Sequence, residues 1–231
     1  MEPTREEMNI ATRIVRDLLE RGFEYELRHY YCNDNNKNGD WFEKNQKYLK
    51  ENGICHESGA TKLVLICKEL SNWVIKLNLH DGKINFCDRE VENYIKACDV
   101  GLGEYFAATY KIGAVEGVNV YLQRKACIDP DSIEYYFREA VMVDFEDCEA
   151  SEDDIEEAMD VLGDDDRLVA IFGNNSVVAK LVDFIFENEI DDLHSYNFGF
   201  VNEKPVIIDF SGYSCWGKRY EERDWSSNRD S

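Results

Sequence analysis

No apolar run in the 231-residue chain approaches 18 residues, so nothing in it reads as a membrane-spanning helix. The opening residues, Met1-Glu2-Pro3-Thr4-Arg5-Glu6-Glu7, lack the apolar core of a secretory signal. None of the eight cysteines (32, 55, 67, 87, 98, 127, 148 and 215) forms a C-x-x-C pair, and the four histidines join them in no zinc pattern. Reduced thiols in a cytoplasmic protein are therefore expected. Basic residues are scarce: 26 Lys and Arg stand against 48 Asp and Glu, a net charge of −22. That balance weighs against direct contact with nucleic acid or anionic membranes, both of which require Lys and Arg. It leaves a soluble chain, one that docks a basic partner, or one that mimics nucleic-acid charge.

What is present suffices for a core. Hydrophobic residues make up 44% of the chain, and its length suits one large domain or two small lobes. Thr4-x-x-Glu7 is a capping box. Ile10, Ile14 and Leu18 with Ala11, Val15 and Leu19 give the following helix one apolar face, and Gly22 ends it. Residues 23–31 fit strand or helix equally. Asp40 can cap a second helix to about Lys50. From Gly53 the pattern turns to strands, first Leu63–Cys67, then Trp73–Leu79 with Lys76 at its centre. A lysine inside an apolar strand either points to water at an edge or needs a partner for its ammonium.

A helix follows over about Asp88–Cys98, with Val91, Tyr94, Ile95 and Cys98 as its apolar stripe. Glu104–Lys111 and Gly117–Lys125 then read as two strands. Residues 128–171 are helical in tendency. Between Asp144 and Asp166 lie thirteen Asp or Glu and no Lys or Arg. Such a run is a solvated face or, in a sharper reading, a docking surface for a basic partner. Asn174-Asn175-Ser176 can cap an apolar helix over Val177–Glu187.

That helix leads into Asp191-Asp192-Leu193-His194-Ser195-Tyr196-Asn197. An apolar strand, the polar turn Asn202-Glu203-Lys204, and a second apolar strand ending in Asp209-Phe210-Ser211-Gly212 follow. Oxygen ligands at both ends of a tight hairpin suit a metal-phosphate site. The pattern Asp192-Leu193-x-x-x-Asn197, then twelve residues to Asp209-Phe210, resembles the catalytic and metal-binding loops of the protein-kinase-like superfamily. Val74-Ile75-Lys76 is similar to that family's V-A-I-K strand. The resemblance covers about Gly53 to Gly212.

The resemblance implies ATP and Mg²⁺ as cofactors. Asp192 would orient or deprotonate the acceptor, Asn197 and Asp209 would bind metal, and Lys76 would hold the phosphates. A glutamate of the next helix would pair with Lys76. Glu90 and Glu92 flank the apolar stripe on opposite sides, and the sequence distance from Lys76 leans to Glu92. Main-chain groups of Arg124, Lys125 and Ala126 would meet adenine, and His194 would touch the γ-phosphate or pin the loop. No G-x-G-x-x-G precedes Lys76; Gly59 and Thr61, in the turn between the first two strands, would cover the phosphates or form a plain hairpin.

The family's H-R before the catalytic Asp is Ile190-Asp191 here, the D-F-G glycine is Ser211, and no A-P-E segment occurs. His194 stands two residues after Asp192, a D-L-H-x-x-N form similar to the antibiotic- and lipid-type branches. Only 22 residues follow Asp209, which leaves little for a peptide platform. The expected fold is α+β and two-lobed: an N-terminal helical extension (1–52), a kinase-like β-sheet N-lobe (53–126) and a minimal helical C-lobe (127–231). The expected function is an ATP- and Mg²⁺-dependent phosphotransferase with unknown acceptor. The alternatives are a non-catalytic kinase-like module that binds a protein through segment 144–166, and a transferase of AMP.

Overall fold

The computed structural model describes residues 2–23, 37–59, 61–79, 85–128, 175–190 and 197–212. Asp192, His194, the acidic segment 144–166 and the tail beyond 212 lie outside the described residues. The fold is mixed α+β, and the chain partitions into two compact units. One is Met1–Tyr94 with Ala107–Lys125, the other Ile95–Phe106 with Ala126–Ser231.

The first unit is built on a five-stranded antiparallel sheet. Its strands are β1 (Ile54–Ser58), β2 (Lys62–Cys67), β3 (Trp73–Asn78), β4 (Thr109–Val115) and β5 (Val118–Arg124), in the spatial order β1-β2-β3-β5-β4. Pairing Leu63 with Leu77, Leu65 with Ile75 and Ile75 with Leu122 puts these apolar side chains on one face. They form one hydrophobic cluster with Ala11, Ile14, Val15 and Leu18 of helix α1 (Arg5–Glu20), which lies against β4 and β5. The N-terminal helices therefore complete the core of the sheet.

Local chemistry fixes α1 at both ends. Thr4 Oγ1 accepts from the Glu7 amide, and Glu7 returns the bond by accepting from the Thr4 amide at 2.7 Å. At the other end Gly22 sits at φ +79°, while the Phe23 amide donates to Leu18 and the Gly22 amide to Leu19. The Trp73 indole donates to Glu7 at 3.0 Å, tying the start of α1 to the start of β3. A bidentate Arg13–Glu69 pair at 2.7 and 2.8 Å adds a second tie.

Three sequence expectations change here. The helix expected over 40–50 is two, α2 (Lys37–Lys44) and α3 (Gln46–Glu51), broken at Asn45, and Asp40 lies inside α2 rather than capping it. The Asn45 side chain donates to the Trp41 carbonyl, competing with a straight helix. The strand expected from Glu104 starts only at Thr109. A short 3₁₀ turn (Gly103–Tyr105) precedes it, set by the Leu102 amide donating to Ala97 and the Tyr105 amide to Leu102. Helix α4 (Phe86–Asp99) buries Phe86, Cys87, Glu90, Asn93 and Ala97, whereas Ile95 of the expected stripe is 54% exposed. Its buried face carries polar groups that a hydrophobicity pattern counts as outside.

In the second unit, β6 (Phe198–Val201) and β7 (Lys204–Ile207) form an antiparallel hairpin. Helix α5 (Asn175–Glu187) buries Leu181, Phe184 and Ile185. The Phe200 and Cys127 main chains exchange two hydrogen bonds at 2.8 Å. Gly199 permits this approach: a Cβ there would stand 2.8 Å from the Ala126 Cβ. Among the described residues no helix is long and apolar enough to cross a membrane.

Among the described residues, two two-residue hairpin loops have positive φ at their central residues, Glu116 and Gly117 in one, Asn202 and Glu203 in the other. This is the requirement of a type I′ turn, and Glu203 (φ +67°) meets it poorly. Glu203→Gly is therefore expected to raise stability by about 0.5–1 kcal/mol, read as a higher urea midpoint at unchanged slope.

Candidate functional site

The site begins with the alternation of β3. Ile75 and Leu77 point into the core, which sends Val74, Lys76 and Asn78 to the opposite face of the sheet. Cross-strand pairing brings Tyr121 of β5 beside Lys76, and Val64 and Lys62 of β2 beside Lys76 and Asn78. This second face is polar yet covered. The side chains of Lys62 and Lys76 are 6% and 5% exposed.

Helix α4 supplies the counter-charge. The Lys76 ammonium donates to both carboxylate oxygens of Glu90 at 2.9 Å, and the Lys62 ammonium reaches Oε1 at 2.9 Å. The Glu90 side chain is wholly buried. Glu92, favoured by its sequence distance, lies exposed instead and does not hold Lys76. A two-residue change on a helix turns the side chain through more than half a circle, so only one of the two can face the sheet.

The start of α4 is fastened to both neighbouring strands. The Asn78 carboxamide oxygen at the end of β3 accepts from the Phe86 amide at 3.0 Å. Asn85 caps the helix by accepting from the Asp88 amide at 3.0 Å, and its own amide donates to the Tyr121 hydroxyl at 2.8 Å. Tyr121 in turn donates to Asp88 at 2.8 Å, and Lys111 joins Asp88 at 3.0 Å. Burial, with the hydrogen bond to Asp88, pushes the Tyr121 hydroxyl far above its ordinary pKa, so it remains a neutral donor.

Gly59 and Thr61 occupy the β1–β2 turn. The Gly59 amide donates to the Lys62 carbonyl at 3.0 Å, and the Leu79 amide donates to the Thr61 carbonyl at 2.8 Å. Gly59 has open space where a Cβ would stand. The segment expected to meet adenine is partly committed: the Arg124 amide donates to Ala108 at 2.8 Å and the Lys125 amide to Asn72 at 2.9 Å. An acceptor such as an adenine nitrogen cannot use those two donors without displacing a carbonyl. The Arg124 guanidinium lies over the Trp73 ring at 5.5 Å.

The second unit holds Asn197 and Asp209 at the foot of the β6–β7 hairpin. Phe198 pairs with Ile207, and the Ile208 amide donates to the Asn197 carbonyl at 2.8 Å. This puts Asn197 opposite Ile208, with Asp209 the next residue along. Phe210 is fully buried and meets Phe106 edge-on at 5.1 Å, and Phe106 meets Phe184 at 5.4 Å. The aromatic anchor fixes the main chain beside Asp209. The Ser211 hydroxyl is 3.4 Å from Asp209 Oδ1. Among the described residues no three His, Cys, Asp or Glu side chains are grouped to hold a metal ion.

Lys62 is the residue that the sequence did not single out. Its signal was available: it opens an apolar strand whose antiparallel pairing with β3 would put it on the face of Lys76. Compared with models of known protein families and with curated proteins, the chain matches none.

The stability consequences separate the two glutamates. Glu90→Gln would leave two buried ammoniums against a neutral amide and is expected to cost about 3–5 kcal/mol. Glu92→Gln is expected to change stability by less than about 0.5 kcal/mol. Urea unfolding of the two variants beside the parent chain checks both.

Proposed function

We propose that the chain is an ATP- and Mg²⁺-dependent phosphotransferase of the atypical kinase-like type, with a two-lobed fold. The observation that carries this reading is the buried pair of Lys76, on a central strand, with both oxygens of Glu90 on the following helix. A lysine held this way presents a fixed cation to phosphate, and positioning plus charge is most of what phosphoryl transfer asks of a protein.

The donor set of the hairpin also fits. A carboxylate and a carboxamide are hard oxygen ligands, and Mg²⁺ takes one or two such groups, completing its shell with phosphate and water. Asn197 and Asp209 would hold the metal, whose charge would neutralise that developing on the transferred phosphoryl group. Asp192, five residues before Asn197, would orient the acceptor hydroxyl. Gly59 and Thr61 would lie along the phosphates, and His194 would contact the terminal one.

A second reading, a non-catalytic kinase-like module, draws on one observation. The amides of Arg124 and Lys125 already donate within the chain, which removes two donors from an adenine contact. Such a module would act by protein contact through segment 144–166.

Thermal melting with ATP and Mg²⁺ tests the choice. A phosphotransferase is expected to rise by roughly 5–10 °C at nucleotide about a hundredfold above Kd, and Asp209→Ala to lose that rise. Absence of any shift in the parent chain would sink the nucleotide reading. With binding established, transfer of label from γ-labelled ATP indicates phosphate as the group moved, and transfer from α-labelled ATP indicates AMP.

A further inference from the structure

We infer that Lys62 is a second phosphate-contacting lysine and that the pair Lys62–Lys76 selects nucleoside di- and triphosphates over monophosphates. This rests on the nucleotide reading above and goes beyond it. The two ammoniums arrive from different strands and meet on the same atom, Glu90 Oε1, each at 2.9 Å. Lys62 sits opposite Asn78, two residues from Lys76 on the same face, so the two lysines are diagonal neighbours. Its main chain is fixed, because the Lys62 carbonyl closes the β1–β2 turn by accepting from the Gly59 amide. The turn residues and the second lysine are thus one local unit.

Lys76 engages both oxygens of Glu90, and Lys62 sets a second cation on Oε1. A buried ammonium is costly to desolvate, and an apolar side chain of similar length at the start of β2 would avoid that cost. An anionic ligand would use both cations. Two cations held on a shared carboxylate give a polyphosphate two points of contact, where a single phosphate can use only one fully. Either lysine can turn toward phosphate while Glu90 stays paired with the other.

An acyl-phosphate derivative of ATP tests this on the unaltered chain. A lysine amine beside the phosphates attacks the acyl carbon, forming an amide as the acyl–phosphate bond breaks and ATP leaves. Peptide mass spectrometry then locates the tag. The expected result is tagging of both Lys62 and Lys76, suppressed by excess ATP and not by AMP. ATP-protected tagging of Lys76 with Lys62 untouched would overturn the inference while leaving the nucleotide reading in place. No ATP-protected tag on either lysine would overturn both. In a second measurement, Lys62→Met, in protein that still melts cooperatively, is expected to weaken ATP·Mg²⁺ binding roughly ten- to a hundredfold, the worth of a charge-assisted contact. Lys62→Arg is expected to recover part of that loss. Parent-like affinity in Lys62→Met would overturn the inference whatever its melting temperature. If that variant does not fold, the tagging pattern of the parent chain decides.

Discussion

A carboxylate with no access to water is tolerable only beside cations, and Glu90 has two. This requirement organises the polar face of the sheet. It sets which side of α4 turns inward, because only one acidic residue of that helix can meet the lysines. It sets which face of β3 the apolar residues occupy, since Lys76 and Ile75 must point opposite ways. The core on the far face then needs a cover, and α1 with its Ala11, Ile14, Val15 and Leu18 provides it. Burial of charge on one side and of hydrocarbon on the other are thus linked through the two-residue period of a strand.

The same alternation separates two kinds of stabilisation. Hydrocarbon packing between α1 and the sheet is insensitive to direction and tolerates exchange among similar volumes. The polar face depends on donors and acceptors at fixed angles, and removing one partner strands another. The second unit repeats the division on a smaller scale. Its aromatic cluster of Phe106, Phe184 and Phe210 anchors the chain, and the polar residues Asn197 and Asp209 lie beside that anchor.

Elements with strong local signals were legible in the sequence. The capping box at Thr4, the glycine stop at Gly22 and the apolar strand around Lys76 all correspond to observed features, as does the mixed α+β class. Readings that equated apolar with buried went astray. On α4, Val91, Tyr94, Ile95 and Cys98 made a plausible stripe, yet the helix buries Glu90 and Asn93. The missing information was long-range: whether a carboxylate is buried depends on lysines in two strands that the sequence places well before it. Lys62 escaped notice for the same reason, because its pairing with β3 matters more than its neighbours in the chain. The committed amides of Arg124 and Lys125 were out of reach too, since their partners, Ala108 and Asn72, are identified only by the folded main chain.

The first turn of α4 is held from β3 through Asn78 and from β5 through Tyr121. These two strands are adjacent in the sheet, so the start of the helix is braced by a neighbouring pair. The distance between Glu90 and its lysines is consequently a property of the sheet, established when the protein folds. Under the proposed reading, a ligand arriving at those ammoniums would meet cations already gathered at one carboxylate, and part of the entropy of ordering long side chains would not count against its affinity. Much of that entropy was lost in folding, so the ligand proposed above would find the cluster already assembled.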